Sequence, residues 1–137
     1  MNTMGNINQE SVIATHYTHG KLLNAIELAL AQHGQTLSSV TSEQLSAIDE
    51  FHIGGAVATE HLLSQAIKYF SSPFTQHSKI LDIGCGLGGT ARYLATELAA
   101  KVIGVDVTAE YLQVGQLVNQ KLSLEHRVNL LQASALS

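Results

Sequence analysis

One segment constrains the rest of this chain. Residues 80–107 read ILDIGCGLGGTARYLATELAAKVIGVDV. A short apolar run is followed by Gly84, Gly86, Gly88 and Gly89, then by a helical pattern, then by a second apolar run ending at Asp106. Bounded runs of this length read as buried strands, and the glycines between them allow a sharp strand-to-helix turn. A third run, residues 127–131, follows a further helical stretch that opens near Thr108, a residue suited to capping. The region from residue 78 onward therefore reads β-α-β-α-β. Its mostly apolar strands predict a Rossmann-like parallel α/β sheet covered on both faces.

The N-terminal part is different. Residues 1–15 are polar and read as a frayed start. Residues 21–33 carry Leu22, Leu23, Ile26, Ala29 and Leu30 at helical period, with Gly34 as terminator. Thr41 and Gln44 have capping-box spacing, and Leu45 and Ile48 face inward from the helix they open. The stretch Phe51-His52-Ile53-Gly54-Gly55 breaks it. A longer helix over residues 56–70 carries Ala58, Leu62, Ala66 and Phe70 as a stripe, widened by Leu63 and Ile67 and read as core packing. Pro73, the single proline, stops it. Two units result: a helical N-terminal cap or lid over residues 1–77, and the first half of a cofactor-binding domain over residues 78–137.

Composition narrows the class. An apolar share of 45% suffices for a core, and the net charge of -4 lacks the basic surplus of a phosphate-backbone binder. Nucleic acid is thereby disfavoured as the main partner. No window approaches the ~18 unbroken apolar residues of a membrane span, and the N-terminus has no secretory pattern. The one cysteine, Cys85, forms no intrachain disulfide, which suits a reducing cytoplasm. His16 and His19 have H-x-x-H spacing, but a zinc site needs further ligands, so no metal is expected. Glu97 and Glu110 read as solvated helix positions.

The glycine loop and Asp106 together predict an adenosine-containing cofactor at the carboxyl edge of the sheet. The helix N-terminus offers N–H groups, and a carboxylate ending the second strand suits ribose hydroxyls. Gly84, Gly86 and Gly89 also fit the dinucleotide fingerprint, which leaves a nicotinamide-dependent oxidoreductase open. Asp82 decides between them. A carboxylate beside the loop repels a diphosphate, but favours a ligand with an ammonium and a sulfonium.

The run Leu81-Asp82-Ile83-Gly84-Cys85-Gly86-Leu87-Gly88-Gly89, with Val105-Asp106 beyond it, resembles the class I S-adenosylmethionine-dependent methyltransferases. Residues 88–95 are similar to the small-molecule branch that includes sarcosine/dimethylglycine and phosphoethanolamine methyltransferases. Residues 16–20 and 49–55 look like the helical cap of that branch. The resemblance implies that Asp82, Gly84, Cys85 and Gly86 line the aminoacyl part of S-adenosylmethionine, with Gly88 in the same loop. It implies that Asp106 holds the ribose and that Val107 packs near the adenine. Ser134 stands where the family usually has an aspartate reading the adenine amino group. His52, in the glycine-flanked break, is the candidate polar group over the methyl donor, and Tyr17 the candidate lid residue. The acceptor is expected to be a small molecule.

The family's sheet has seven strands with the first at its centre, and this chain supplies three. The first strand is thus expected to have an open edge. The chain is expected to be the N-terminal portion of a longer enzyme, or a truncated form that associates through that edge as a homo-oligomer. A non-catalytic cofactor-binding module is the remaining alternative.

Overall fold

The computed structural model of the protein describes residues 22–49 and 55–136. Three helices come first: α1 (Leu22–Gln32), α2 (Ser42–Asp49) and α3 (Gly55–Tyr69). They are followed by β1 (Lys79–Ile83), α4 (Gly89–Glu97), β2 (Lys101–Asp106), α5 (Ala109–Lys121) and β3 (Val128–Gln132). The expected Rossmann-like β-α-β-α-β order is the observed one.

Local chemistry explains the helix ends. Gly34, at φ 68°, closes α1: the Gln35 N–H donates to the Leu30 carbonyl (2.9 Å) and the Gly34 N–H to that of Ala31 (3.0 Å). The capping box forms before α2. The Thr41 N–H donates to Gln44 Oε1 at 3.0 Å, and the Gln44 N–H donates to Thr41 Oγ1 at 3.4 Å. Leu45 is buried and Ile48 packs against the same cluster.

The sheet is parallel in the order β1-β2-β3. Its register sets Ile80, Val102 and Val128 in one row, and Asp82, Gly104 and Leu130 in the next. Val102, Val128 and Leu130 are buried in a cluster with Ala91 and Ala95 of α4 and Leu112 of α5. The alternate residues point the other way. Leu81, Ile83, Ile103 and Leu131 are 38–61% exposed. Among the described residues, then, the sheet is covered on one face and not on both. The cause is topological. Right-handed crossovers put a connecting helix on a face set by the direction of travel along the sheet. The order advances in one direction, so α4 and α5 land on the same side.

A second cluster joins the N-terminal helices to this layer. Ile26 and Leu30 of α1, Val40, and Leu45 of α2 are buried with Leu87, Val114 and Val118. The expected core stripe on α3 is corrected. Leu62 and Phe70 are 68% and 62% exposed, and the buried residues of α3 are Thr59 and Leu63. Leu62, Ala66 and Phe70 instead line a groove of about 620 Å³, walled opposite by Ile80, Leu94 and Leu98. Periodicity identifies an apolar face, not what covers it. Glu110 is a further correction: its Oε1 accepts the Leu22 N–H at 3.1 Å, so it caps the start of α1 instead of facing solvent.

Candidate functional site

The site is built on the carboxyl ends of β1, β2 and β3. The loop after β1 is tied to β2 through its backbone. The Gly84 and Cys85 N–H groups both donate to the Val105 carbonyl, at 2.8 and 3.0 Å. The Gly88 N–H donates back to the Cys85 carbonyl at 2.8 Å and starts α4. Gly84, Gly86 and Gly88 have φ of 74°, 54° and 82°, which side-chain-bearing residues rarely adopt.

The three glycines face different surroundings. A Cβ at Gly84 or Gly86 would meet nothing within 4 Å, so both border open space and their backbone can be approached by a ligand. A Cβ at Gly88 would lie 3.1 Å from Leu130 Cδ1 and 3.2 Å from an Arg92 guanidinium nitrogen. Gly88 is buried, and its observed work is the left-handed turn before α4.

Asp106 is held by backbone. Its Oδ2 accepts the Gly86 N–H at 2.9 Å and its Oδ1 the Thr108 N–H at 2.8 Å. Thr108 occupies the expected N-cap position of α5 but makes no side-chain cap bond, so the carboxylate of Asp106 meets its amide. Asp106 thus links the glycine loop to the start of α5. Each oxygen keeps further acceptor capacity toward a ligand hydroxyl.

Cys85 reports the charge of the crevice. Its buried thiol is pushed up to about 12, first by burial and then by the charges of Asp82 and Asp106. A hydrogen bond and the Arg92 cation pull it only partly back. Two carboxylates therefore act together on this loop, and the thiol remains protonated at neutral pH. Cys85 is a small core-facing group here and not a nucleophile. Its alkylation by iodoacetamide is expected to rise about tenfold per pH unit from 7 to 10 without levelling. An ordinary thiol levels above its pKa near 8.5. A plateau below pH 9.5 would contradict the assignment.

The remaining predicted positions divide. Val107 is half-buried beside Asp106, and its carbonyl accepts Gln132 Nε2 at 3.1 Å. Ser134 lies just past β3, where its Oγ accepts the Leu136 N–H at 3.0 Å. Asp82, Gly84, Cys85, Gly86, Asp106, Val107 and Ser134 are thus gathered at the ends of three neighbouring strands. Tyr17, His52, His16 and His19 fall outside the described residues. Among the described residues, no group of three or more His, Cys, Asp or Glu could hold a metal.

Several residues of the site's support were not foreseen. Arg92 and Asn119 are buried, and an Arg92 Nη1–H donates to Asn119 Oδ1 at 2.8 Å. Gly115 passes so close beneath the loop that a Cβ there would lie 2.5 Å from the Leu87 carbonyl oxygen. A usable signal existed. Leu112, Gly115 and Asn119 fall three and four apart on one helix face, so a polar side chain sits on a buried stripe.

Comparison with known proteins agrees with this geometry. Residues 80–137 match the Methyltransferase domain family. That stretch is similar to a methyltransferase domain, the family the resemblance pointed to. The chain is 28% identical over 80 residues to methyltransferase phqN of Penicillium fellutanum, covering 58% of this chain and 23% of that relative. A solved structure assigned as a sarcosine dimethylglycine methyltransferase of Galdieria sulphuraria shares the fold at 21% identity. Its TM-score is 0.55, over 59% of this chain and 29% of that one. Phosphoethanolamine N-methyltransferase 2 of Haemonchus contortus, solved in complex with S-adenosyl-L-methionine, is similar at 26% identity. Its TM-score is 0.52, over 69% of this chain and 22% of that one. The chain thus spans under a third of each of these relatives.

Proposed function

We propose that this chain carries the cofactor-binding half of an S-adenosylmethionine-dependent methyltransferase acting on a small-molecule acceptor. One observation carries the reading: open, backbone-lined space at Gly84 and Gly86, with Asp82 in β1 just before it and Asp106 accepting the Gly86 N–H at 2.9 Å. A ligand with a sulfonium and an ammonium is stabilised there, whereas a diphosphate is repelled. The similarity to a methyltransferase solved with this cofactor supports it.

In this reading Asp82, Gly84, Cys85 and Gly86 border the aminoacyl part, and Gly88 sets the turn that aims the α4 N-terminus. Asp106 accepts from the ribose, Val107 packs by the adenine, and Ser134 lies at the adenine edge. Residues 1–77 act as cap, with His52 as the polar group over the methyl donor and Tyr17 on the lid. The cofactor supplies a methyl group already activated by its sulfonium. The protein has only to align the acceptor with it and exclude water.

Calorimetry with S-adenosylhomocysteine and with the reduced nicotinamide cofactor tests the reading. The thioether is expected to bind and the dinucleotide not; the reverse would overturn it. Asp106→Ala should weaken thioether binding by about 1–3 kcal/mol, because ribose hydroxyls lose their acceptor. Unchanged affinity would remove the ribose role.

Two coarser features extend the proposal. Among the described residues no helix is long and apolar enough to cross a membrane. A cytoplasmic location is proposed on the single free thiol. Self-association through the β1 edge is proposed on the exposed Leu81 and Ile83, which a solvated parallel strand rarely presents. Light scattering is expected to give an oligomer, and a monodisperse monomer would count against it.

A further inference from the structure

We propose that Arg92 and Asn119 are positioning residues, a buried latch that fixes the glycine loop from behind for its cofactor. The proposal rests on the cofactor reading above and adds what holds the crevice in shape.

The crevice is bordered by backbone at Gly84 and Gly86, so its fit to a ligand depends on where the loop as a whole sits. On the β2 side the loop is fixed by hydrogen bonds to the Val105 carbonyl and to Asp106. On the α5 side it rests on Gly115, directly beneath the Leu87 carbonyl. Close packing alone does not stop two elements sliding past one another.

The latch spans that contact. The Arg92 N–H donates to the Gly88 carbonyl at 2.9 Å, which places Arg92 one turn into α4. Its Nη1–H donates to Asn119 Oδ1 at 2.8 Å, with a longer contact of 3.5 Å to the Gly115 carbonyl. Asn119 Nδ2 in turn donates to the Val128 carbonyl at 3.3 Å. Both side chains are buried, Arg92 at 3% and Asn119 at 2% exposure. One polar chain therefore runs from the loop through α4 and α5 into β3.

Energetics favour a geometric role over a stabilising one. Burying a guanidinium costs several kcal/mol before its partners are counted, and well-packed apolar replacements of buried polar groups are often as stable. What the pair supplies, and an apolar pair does not, is a directional lock between two helices. The charge also reaches the site, because Arg92 acts on Cys85 against the two carboxylates.

The experiment compares wild type, Asn119→Leu and Asn119→Asp, each at a temperature where circular dichroism shows it folded. Asn119→Leu removes the acceptor of Arg92 at similar volume; Asn119→Asp keeps that acceptor and gives up only the longer bond, 3.3 Å, to the Val128 carbonyl. Calorimetry with S-adenosylhomocysteine is expected to show at least tenfold weaker binding for Asn119→Leu, with most of the loss recovered in Asn119→Asp. Amide exchange at Gly86 and Gly88 is expected to quicken in Asn119→Leu alone. Wild-type affinity in a folded Asn119→Leu, or equal losses in both variants, overturns the latch. If wild type does not bind the thioether, the cofactor reading fails. The latch is then decided by exchange: faster loop amides uphold it and unchanged ones sink it. Should Asn119→Leu not fold, Arg92→Lys takes its place, keeping the charge but not the fork. Weaker thioether binding and faster loop amides then uphold the latch, and wild-type values of both overturn it.

Discussion

Leu87→Ala is expected to destabilise the chain by about 2–5 kcal/mol and to weaken S-adenosylhomocysteine binding in whatever fraction stays folded. Leu87 is the one large side chain of the glycine loop, and it is 1% exposed. It does not point into the crevice. It packs among Ile26 and Leu30 of α1, Val40, Leu45 of α2, and Val114 and Val118 of α5. The substitution therefore empties a site where the loop, α5, α1 and α2 meet. A domain of ordinary stability has about 5–15 kcal/mol in hand, so the loss is a large share of the whole. Urea denaturation reads the stability and calorimetry the affinity. A loss under about 1 kcal/mol, below the usual range for such a truncation, would mean that the N-terminal helices do not lean on the loop as described.

That dependence explains what could and could not be read from the residues. The loop is legible because its turns admit few alternatives: positive φ at Gly84, Gly86 and Gly88 selects glycine locally. The Thr41–Gln44 box is legible for the same reason, since both partners lie within one turn. Arg92 is not. Its partner Asn119 lies 27 residues further along the chain, and only the fold brings them together. Glu110 fails as a solvated residue on the same ground, because its partner is the backbone of Leu22, 88 residues away.

The apolar faces are the other case. Leu62, Ala66 and Phe70 have the spacing of a core stripe, and Leu81, Ile83 and Ile103 that of fully buried strands. Those patterns state a preference for burial. They carry no information on whether the covering element lies among the described residues. The groove beside α3 and the bare face of the sheet meet at β1, the strand at the sheet's edge.

Leu130→Ala is expected to cost about 2–5 kcal/mol as well, toward the upper end, for a reason peculiar to its neighbours. Leu130 is 2% exposed and sits in the middle of β3. Three glycines from three different elements converge on it. A Cβ would lie 3.1 Å from its side chain at Gly88 in the loop, 2.7 Å at Gly104 in β2 and 2.6 Å at Gly115 in α5. The cost of a cavity depends on how far its walls can relax inward. Walls of bare glycine backbone held in a sheet and a helix have no side chains to swing into the space. The same geometry fixes the sign of a coupling. Gly104→Ala alone overpacks the core, pressing on both Leu130 and Cys85, and should cost about 1–3 kcal/mol. In the Leu130→Ala background its Cβ loses one of those two clashes, so it should cost less. A double-mutant cycle by urea denaturation measures the difference. Strict additivity would show that Leu130 does not fill the space the glycines leave. The loop would then owe its position to its own turns and the latch, not to β3.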